Sequence, residues 1–298
     1  MDEKVDENSW LAERFEENRS HLRGVAYRML GSLSDAEDAV QEAWIRLSRT
    51  NTGEIDNLQA WLTTVVGRVC LNILRSRNTR REVSLDTYVP DFIVSPEEGM
   101  DPEQEALLGD SVGLALFVVL DSLTPAERVA FVLHDIFAVP FDEIATIIDR
   151  TPTTTRQLAS RARRRVHGAP MPDVDLGGQW AVADAFLAAA RAGDFGALLD
   201  VLDPDIVLRS DGGMTRPNLN SLVRGARAVA EQAMTFRRFT ETATRILVNG
   251  IPGGVAWTPD GTPFAILALT VNGGRIVEIE VLADPDRLGK LDLTAVAG

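Results

Sequence analysis

The sequence predicts a multidomain chain: two all-α helical domains, the second a helix-turn-helix, followed by an α+β domain. Three observations carry this. Apolar residues recur at three- and four-residue spacing through much of residues 10–168. The pairs Thr124-Pro125 and Thr151-Pro152 mark helix starts, because threonine can cap and proline is preset for the first helical position. Beyond residue 178 an Ala-rich helical stretch gives way to strand-like runs separated by Asn249-Gly250, Asp260-Gly261 and Asn272-Gly273. The 298 residues suit two or three domains at roughly 100–200 residues each. An apolar fraction of 45% with 25% charged residues excludes a wholly disordered chain.

Along the chain, Leu11, Phe15, Leu22, Val25, Ala26 and Met29 share a helical face, and Gly31 can stop that helix. Ser34, with Glu37 three residues on, forms a capping-box pattern. The helix it opens repeats Ala36, Val40, Ala43, Trp44 and Leu47 on one side and shows Asp35, Glu37, Asp38, Gln41 and Glu42 elsewhere. Residues 58–76 predict a strongly apolar helix with Trp61, Leu62, Val65, Val69 and Ile73 inward and Arg68, Arg75 and Arg77 outward. Residues 85–109 are rich in Pro, Asp, Glu and Gly without periodicity and read as an acidic linker. Helical pattern resumes at 110–120, and Thr124, Pro125 and Glu127 start a further helix. Two short helices around Thr151-Pro152 then make the helix-turn-helix. In the second, Leu158, Ala159, Ala162 and Val166 face inward, while Arg156, Gln157, Ser160, Arg161, Arg163 and Arg164 face outward. The small residues Ala145 and Ala159 permit a close crossing. After a second linker at 169–178, residues 179–201 predict one Ala-rich helix.

The net charge of −14 speaks against nucleic acid only as an average. Residues 68–81 hold five arginines and no acid, and residues 150–169 hold six arginines and no acid. Exposed charges are screened beyond about 8–10 Å, so local charge governs phosphate contact. Two all-arginine islands fit two contacts on one polyanion; two solvated helix faces fit the composition equally. The single cysteine, Cys70, excludes an internal disulfide framework. His21, His134 and His167 have no zinc-ligand spacing with it, so neither metal nor cofactor is expected. No apolar run reaches the roughly 18 residues of a membrane span, and the acidic start MDEKVDENSW is unlike a signal peptide. A cytoplasmic setting is expected.

The segment SLSDAEDAVQEAWIRL resembles the core-polymerase-binding helix of bacterial sigma factors. WLTTVVGRVCLNILRSRNTRRE resembles the helix that melts and reads the promoter element near position −10, and residues 123–166 resemble the domain that reads the −35 element. Together they resemble an extracytoplasmic-function sigma factor of the sigma-70 family over roughly residues 10–168. The last domain resembles a SnoaL-like fold of the nuclear-transport-factor-2 superfamily. Asp211-Gly212-Gly213 resembles the Asp-Gly-Gly loop, and Asp284-Pro285-Asp286-Arg287-Leu288 the terminal Asn-Pro-Asp-Lys-Leu motif, of sigma factors carrying that extension. Where those relatives often carry Trp-Leu-Pro-Glu-Pro in the linker, this chain has Tyr88 to Val94. The implied division is sigma region 2 at 8–84, a linker at 85–109, sigma region 4 at 110–168, a linker at 169–178 and the SnoaL-like domain at 179–291.

The resemblance implies RNA polymerase core and promoter DNA as partners, with the C-terminal domain regulating in cis through contact with the sigma domains. Core-binding candidates are Asp35, Asp38, Gln41, Glu42, Trp44 and Leu47, an acidic and apolar set suited to a basic coiled coil. Candidates for the −10 element are Arg68, Asn72, Arg75, Arg77 and Arg80, since arginine contacts phosphate and stacks on unpaired bases. Trp61 can stack on a base or fill the core, and its spacing with Leu62 and Val65 favours the core. Candidates for the −35 element are Thr154, Thr155, Arg156, Gln157 and Ser160 at base edges, with Arg161, Arg163 and Arg164 on phosphates. Asp211, Gly212, Gly213, Asp284, Pro285, Asp286, Arg287 and Leu288 are the implied regulatory residues.

SnoaL-like relatives include enzymes, but no histidine follows His167, and Asp205, Asp211 and Asp260 sit beside turn signals. The chain is therefore not expected to be an enzyme. Phe186, Phe236, Phe239, Trp257, Phe264 and Leu282 can line a ligand pocket or fill a core. A freestanding ligand-responsive DNA-binding regulator is the alternative, needing the helix-turn-helix but not the polymerase-facing helix.

Overall fold

The computed structural model describes residues 2–50, 55–80, 89–97, 114–167, 172–237, 243–294 and 296. The chain divides into two compact units. One comprises residues 1–82, 102–109 and 119–168; the other comprises residues 83–101, 110–118 and 169–298.

The first unit is helical. Helices α1 (Asp2–Leu30), α2 (Leu33–Leu47) and α3 (Leu58–Arg80) pack through stripes spaced three and four residues apart. Leu22, Ala26, Met29, Val40, Ala43, Leu62, Val66 and Cys70 are buried there. Gly31 ends α1 in the left-handed region at φ 65°, as its sequence position predicts. The next cap falls at Ser32 instead of Ser34: Ser32 Oγ accepts from Asp35 N at 3.3 Å. The chain re-enters helix at Leu33, two residues after Gly31, which places Ser34 inside the first turn and leaves Glu37 to pair with Arg19 and Arg23.

Helix α4 (Leu114–Asp121) runs to the Thr124 turn. The capping box at Thr124 is present, with Thr124 N donating to Glu127 Oε2 at 3.1 Å and Pro125 opening α5 (Pro125–Phe131). A π-helical turn, Val132–Ile136, continues it. Helix α6 (Phe141–Ile148) ends at Asp149 with φ 57°, and α7 (Pro152–His167) begins where Thr151 Oγ1 accepts from Thr154 N at 3.2 Å. Buried Ile144, Ala145 and Ile148 face buried Ala159, Ala162 and Val166. Residues 119–168 of the second helical segment thus form one unit with the first, whereas residues 110–118 belong to the other unit. Gly67 of α3 is the point of close approach: an added Cβ would stand 3.3 Å from Ile147 of α6.

The second unit is α+β, as the sequence predicts. Its sheet runs β1-β4-β5-β6-β7-β2-β3, comprising β1 (Val94–Ser95), β2 (Leu202–Asp211), β3 (Ser221–Arg224), β4 (Thr244–Val248), β5 (Ile251–Trp257), β6 (Pro263–Asn272) and β7 (Arg275–Leu282). Neighbours are antiparallel except β2 with β7. The predicted helix 179–201 is two: α8 (Leu176–Ala192) stops at Gly193 with φ 72°, and Asp194 caps α9 (Phe195–Val201). With α10 (Ala226–Thr235) they cover one face, through Trp180, Phe186, Leu187, Leu198 and Val229. The other face carries Ile246, Val248, Ile266, Ala268 and Leu282, covered by Val89, Phe92 and Val94 and by Leu288, Leu293 and Val296 near the C-terminus.

Those first three residues come from the segment read as linker. Its described part is built into the second unit as an edge strand. Val94 pairs with Val248 and Ser95 with Leu247. Asn249, at φ 51° in the Asn249-Gly250 hairpin turn, donates its backbone N–H to Ile93 O and accepts Ile93 N at Oδ1, both at 2.8 Å. Tyr88 and residues 98–109 lie outside the described residues.

Candidate functional site

On α7 the 3.6-residue repeat sorts the candidates. Arg156, Gln157, Ser160, Arg161 and Arg164 are exposed on one stripe. Thr155 is fully buried and donates its hydroxyl to Thr151 O at 3.0 Å, so it serves the turn and cannot reach a base edge. Thr154 is half-buried, its hydroxyl bonded to that of Thr151 at 2.9 Å. Arg156 lies 5.5 Å over the Phe141 ring, which stacks on His134 at 3.7 Å, so the turn holds this guanidinium at the start of the helix. Arg163 is paired with Asp135 (2.6 Å) and Arg165 with Glu127 (2.9 Å), which removes Arg163 from the free phosphate-binding set. Burial alone would raise the Glu127 pKa, but the hydrogen bonds from Thr124 and the charge of Arg165 hold it below the ordinary range. Among the described residues, neither Arg161 nor Arg164 has a carboxylate partner.

On α3, Arg68, Asn72 and Arg75 are exposed four and three residues apart, hence on one stripe. Arg68 donates to Thr146 O at 3.3 Å, where α3 meets α6. Arg77 donates to Leu30 O at 2.8 Å and pairs with Asp35. That ion pair joins a residue expected to face DNA to one expected to face polymerase, and it fastens the α1–α2 corner to α3. Trp61 is half-buried, and the Arg80 side chain lies outside the described residues.

On α2, Asp38 and Gln41 are exposed and Glu42 half-exposed, with Arg46 bonded to Glu42 at 2.9 Å. Leu47 is fully buried and belongs to the bundle core, a correction to its expected place in a partner surface. Ile45, 40% exposed and four residues from Gln41, is the exposed large apolar side chain of α2 that the sequence pattern did not single out. Half-buried Trp44 packs its ring 5.1 Å from Phe15 beside a shallow groove shared with Glu16, Arg19 and Gln41.

In the second unit the regulatory candidates converge. Asp211 is buried at the end of β2, and Arg287 in α11 (Pro285–Leu288) donates Nη1 to its Oδ2 at 2.6 Å. The same guanidinium donates Nη2 to Asp91 Oδ1 and to Val89 O, both at 2.7 Å. Arg287 therefore clasps the 89–91 segment with the Asp-Gly-Gly loop. An added Cβ on Gly212 would meet Arg216 O at 2.2 Å, and one on Gly213, at φ 63°, would meet Asp284 Oδ2 at 2.3 Å. Both glycines are thus required sterically. Asp284 caps α11 by accepting Asp286 N at 3.0 Å. Pro285 occupies the first turn, and Leu288 is buried. Asp91 and Val89, the other partners of this clasp, carried no local sequence pattern.

Comparison with known proteins bears on this geometry. Family models for Sigma-70 region 2 and Sigma-70, region 4 match residues 14–80 and 114–166. The probable ECF RNA polymerase sigma factor SigI of Mycobacterium tuberculosis is 37% identical over 278 residues, covering 92% of this chain and 93% of the relative. ECF RNA polymerase sigma factor SigJ of the same organism is 37% identical over 287 residues, covering 92% and 91%. The crystal structure of M. tuberculosis extracytoplasmic function sigma factor SigJ superposes with a TM-score of 0.74 at 33% identity, covering 96% of this chain and 99% of that one. An acidic helix face, an arginine-striped helix and a helix-turn-helix on one chain define a promoter-specificity subunit of RNA polymerase. The chain belongs to the extracytoplasmic-function sigma factors of the sigma-70 family. It binds core polymerase and promoter DNA to initiate transcription.

Proposed function

We propose that Arg156, Gln157 and Ser160 read base edges of the −35 element while Arg161 and Arg164 hold phosphates. The carrying observation is the single exposed stripe these five residues form on α7, with the other two arginines of that helix, Arg163 and Arg165, paired internally. Arg68, Asn72 and Arg75 contact the −10 element, and Asp38, Gln41, Glu42 and Ile45 dock on core polymerase. The chain is a cytoplasmic, non-enzymatic subunit; the polymerase carries the chemistry.

The C-terminal domain regulates in cis by holding the chain between the two DNA-reading segments. Support comes from the Arg287 clasp on Val89 and Asp91 and from the β1 pairing with β4. Residues 89–97 are thereby part of the second unit. Run-off transcription with purified core polymerase, using the full chain and a chain ending near Leu176, tests both parts. Initiation at a defined start site with altered output on truncation is expected. Failure of both proteins to direct initiation would refute the DNA-reading assignment, and equal output would refute control in cis.

A further inference from the structure

A cavity of about 110 Å³ lies between the sheet of the second unit and its helices, and none of the residues assigned to DNA or polymerase recognition lines it. Protein interiors are ordinarily close-packed, so a hollow needs a cause. Here the cause is small side chains: six of the lining residues are alanines. Ala256 of β5 and Ala265 of β6 are direct cross-strand partners, so their methyl groups stand side by side where larger side chains would fill the space. Over them stand the rings of Phe186, Phe236 and Phe264.

The lining specifies the ligand. Among the described residues it contains no Asp, Glu, Lys, Arg or His, which disfavours a charged molecule because a buried charge without a partner is costly. Its polar members are Ser210 and Gln232. Gln232 Nε2 donates to Ser221 Oγ at 3.2 Å, leaving the amide oxygen as an acceptor for a ring N–H or hydroxyl. An apolar cavity of about 150 Å³ is known to hold benzene, which sets the scale at one small ring system. Ile279 and Val281 line the cavity, and the pleat sends the intervening Glu280 to the opposite face, away from any ligand. Among the described lining residues, a bound molecule therefore meets no acid or base able to transform it.

We propose that this cavity is a binding site for an uncharged aromatic molecule between phenol and indole in size, held without turnover. The test titrates the full chain with indole and phenol by calorimetry, with indole-3-acetate and tryptamine as charged controls. Saturable one-to-one binding of a neutral probe is expected. Ala256→Phe and Ala265→Leu, each filling the hollow, weaken it about tenfold or more, and the charged analogues bind weaker by a similar factor. Thermal melting shows whether each variant is folded. If neither is, the alanine methyl resonances of the unmodified chain decide: shifts at Ala256 and Ala265 on adding indole support the site. The proposal is overturned by no saturable binding of either neutral probe, unchanged affinity in a folded filled variant, equal binding of a charged analogue, or methyl shifts confined elsewhere. No readout involves polymerase, so the result stands apart from the transcription assignment.

Discussion

Arg156 and Arg164 occupy one exposed stripe of α7, and the proposed reading gives them different work. Arg156 sits at the helix start, where a recognition helix meets base edges, and its stacking on Phe141 limits its reach. Arg156→Ala is expected to cost about 1–3 kcal/mol at the preferred promoter and to relax sequence preference at one position. Arg164→Glu is expected to weaken binding to all sequences alike and lower the salt dependence by more than one counterion equivalent. Promoter titrations at several salt concentrations with matched and mismatched −35 elements distinguish the two. Another residue-scale prediction concerns Glu280, wholly buried on β7. Burial, then the neighbouring charge of Glu278, holds its pKa well above the ordinary carboxylate value. The fold therefore favours the protonated form. Its stability contribution is complete below the unfolded-state pKa and declines as pH rises through that value towards the raised one. Glu280→Leu is expected to stabilise the second unit by about 1–3 kcal/mol near pH 8 and by less near pH 5, as urea unfolding at the two pH values would show.

At the scale of elements, the Asp211–Gly213 loop and α11 act as one clasp. Gly213 has a positive φ and lies against Asp284, so an alanine there meets both backbone strain and a carboxylate. Gly213→Ala is expected to destabilise the second unit by about 1–3 kcal/mol, measured by thermal melting. Arg287→Ala removes a guanidinium bonded to Asp211, Asp91 and Val89 together. Hydrogen exchange at Ile93 and Val94 is expected to accelerate while exchange in β5 and β6 stays slow; equal acceleration everywhere would mean general unfolding instead of an opened clasp. The contrast with α7 is instructive, because its exposed stripe needs no distant partner to take shape.

Considered as a whole molecule, the chain reconciles a net charge of −14 with DNA binding by concentrating arginine on two helices. One of those arginines, Arg68, is engaged by the backbone of α6 within the first unit. The 89–97 segment owes its strand to the distant residues 244–249, which pair with it from more than a hundred positions away. A chain ending near Leu176 loses β4 and the cover over Val89, Phe92 and Val94. Limited proteolysis is expected to cut that shortened chain within residues 89–97 and to spare the full chain there.

The helices, their caps at Thr124 and Thr151, the hairpin at Asn249-Gly250 and the exposed stripe of α7 were legible in the sequence because each depends on residues within a few positions. The DNA-reading and polymerase-facing segments were legible for the same reason. Thr155 and Leu47 were misplaced because the same residue types serve a buried turn or a partner surface, and only neighbouring helices decide which. The pairing of Asp35 with Arg77, the arginine clasp on Asp91 and the alanine-lined hollow were settled by contacts between segments distant in the chain. Local periodicity fixed which surfaces each helix offers, whereas tertiary packing decided which of them stay available and made an apparent linker into a strand.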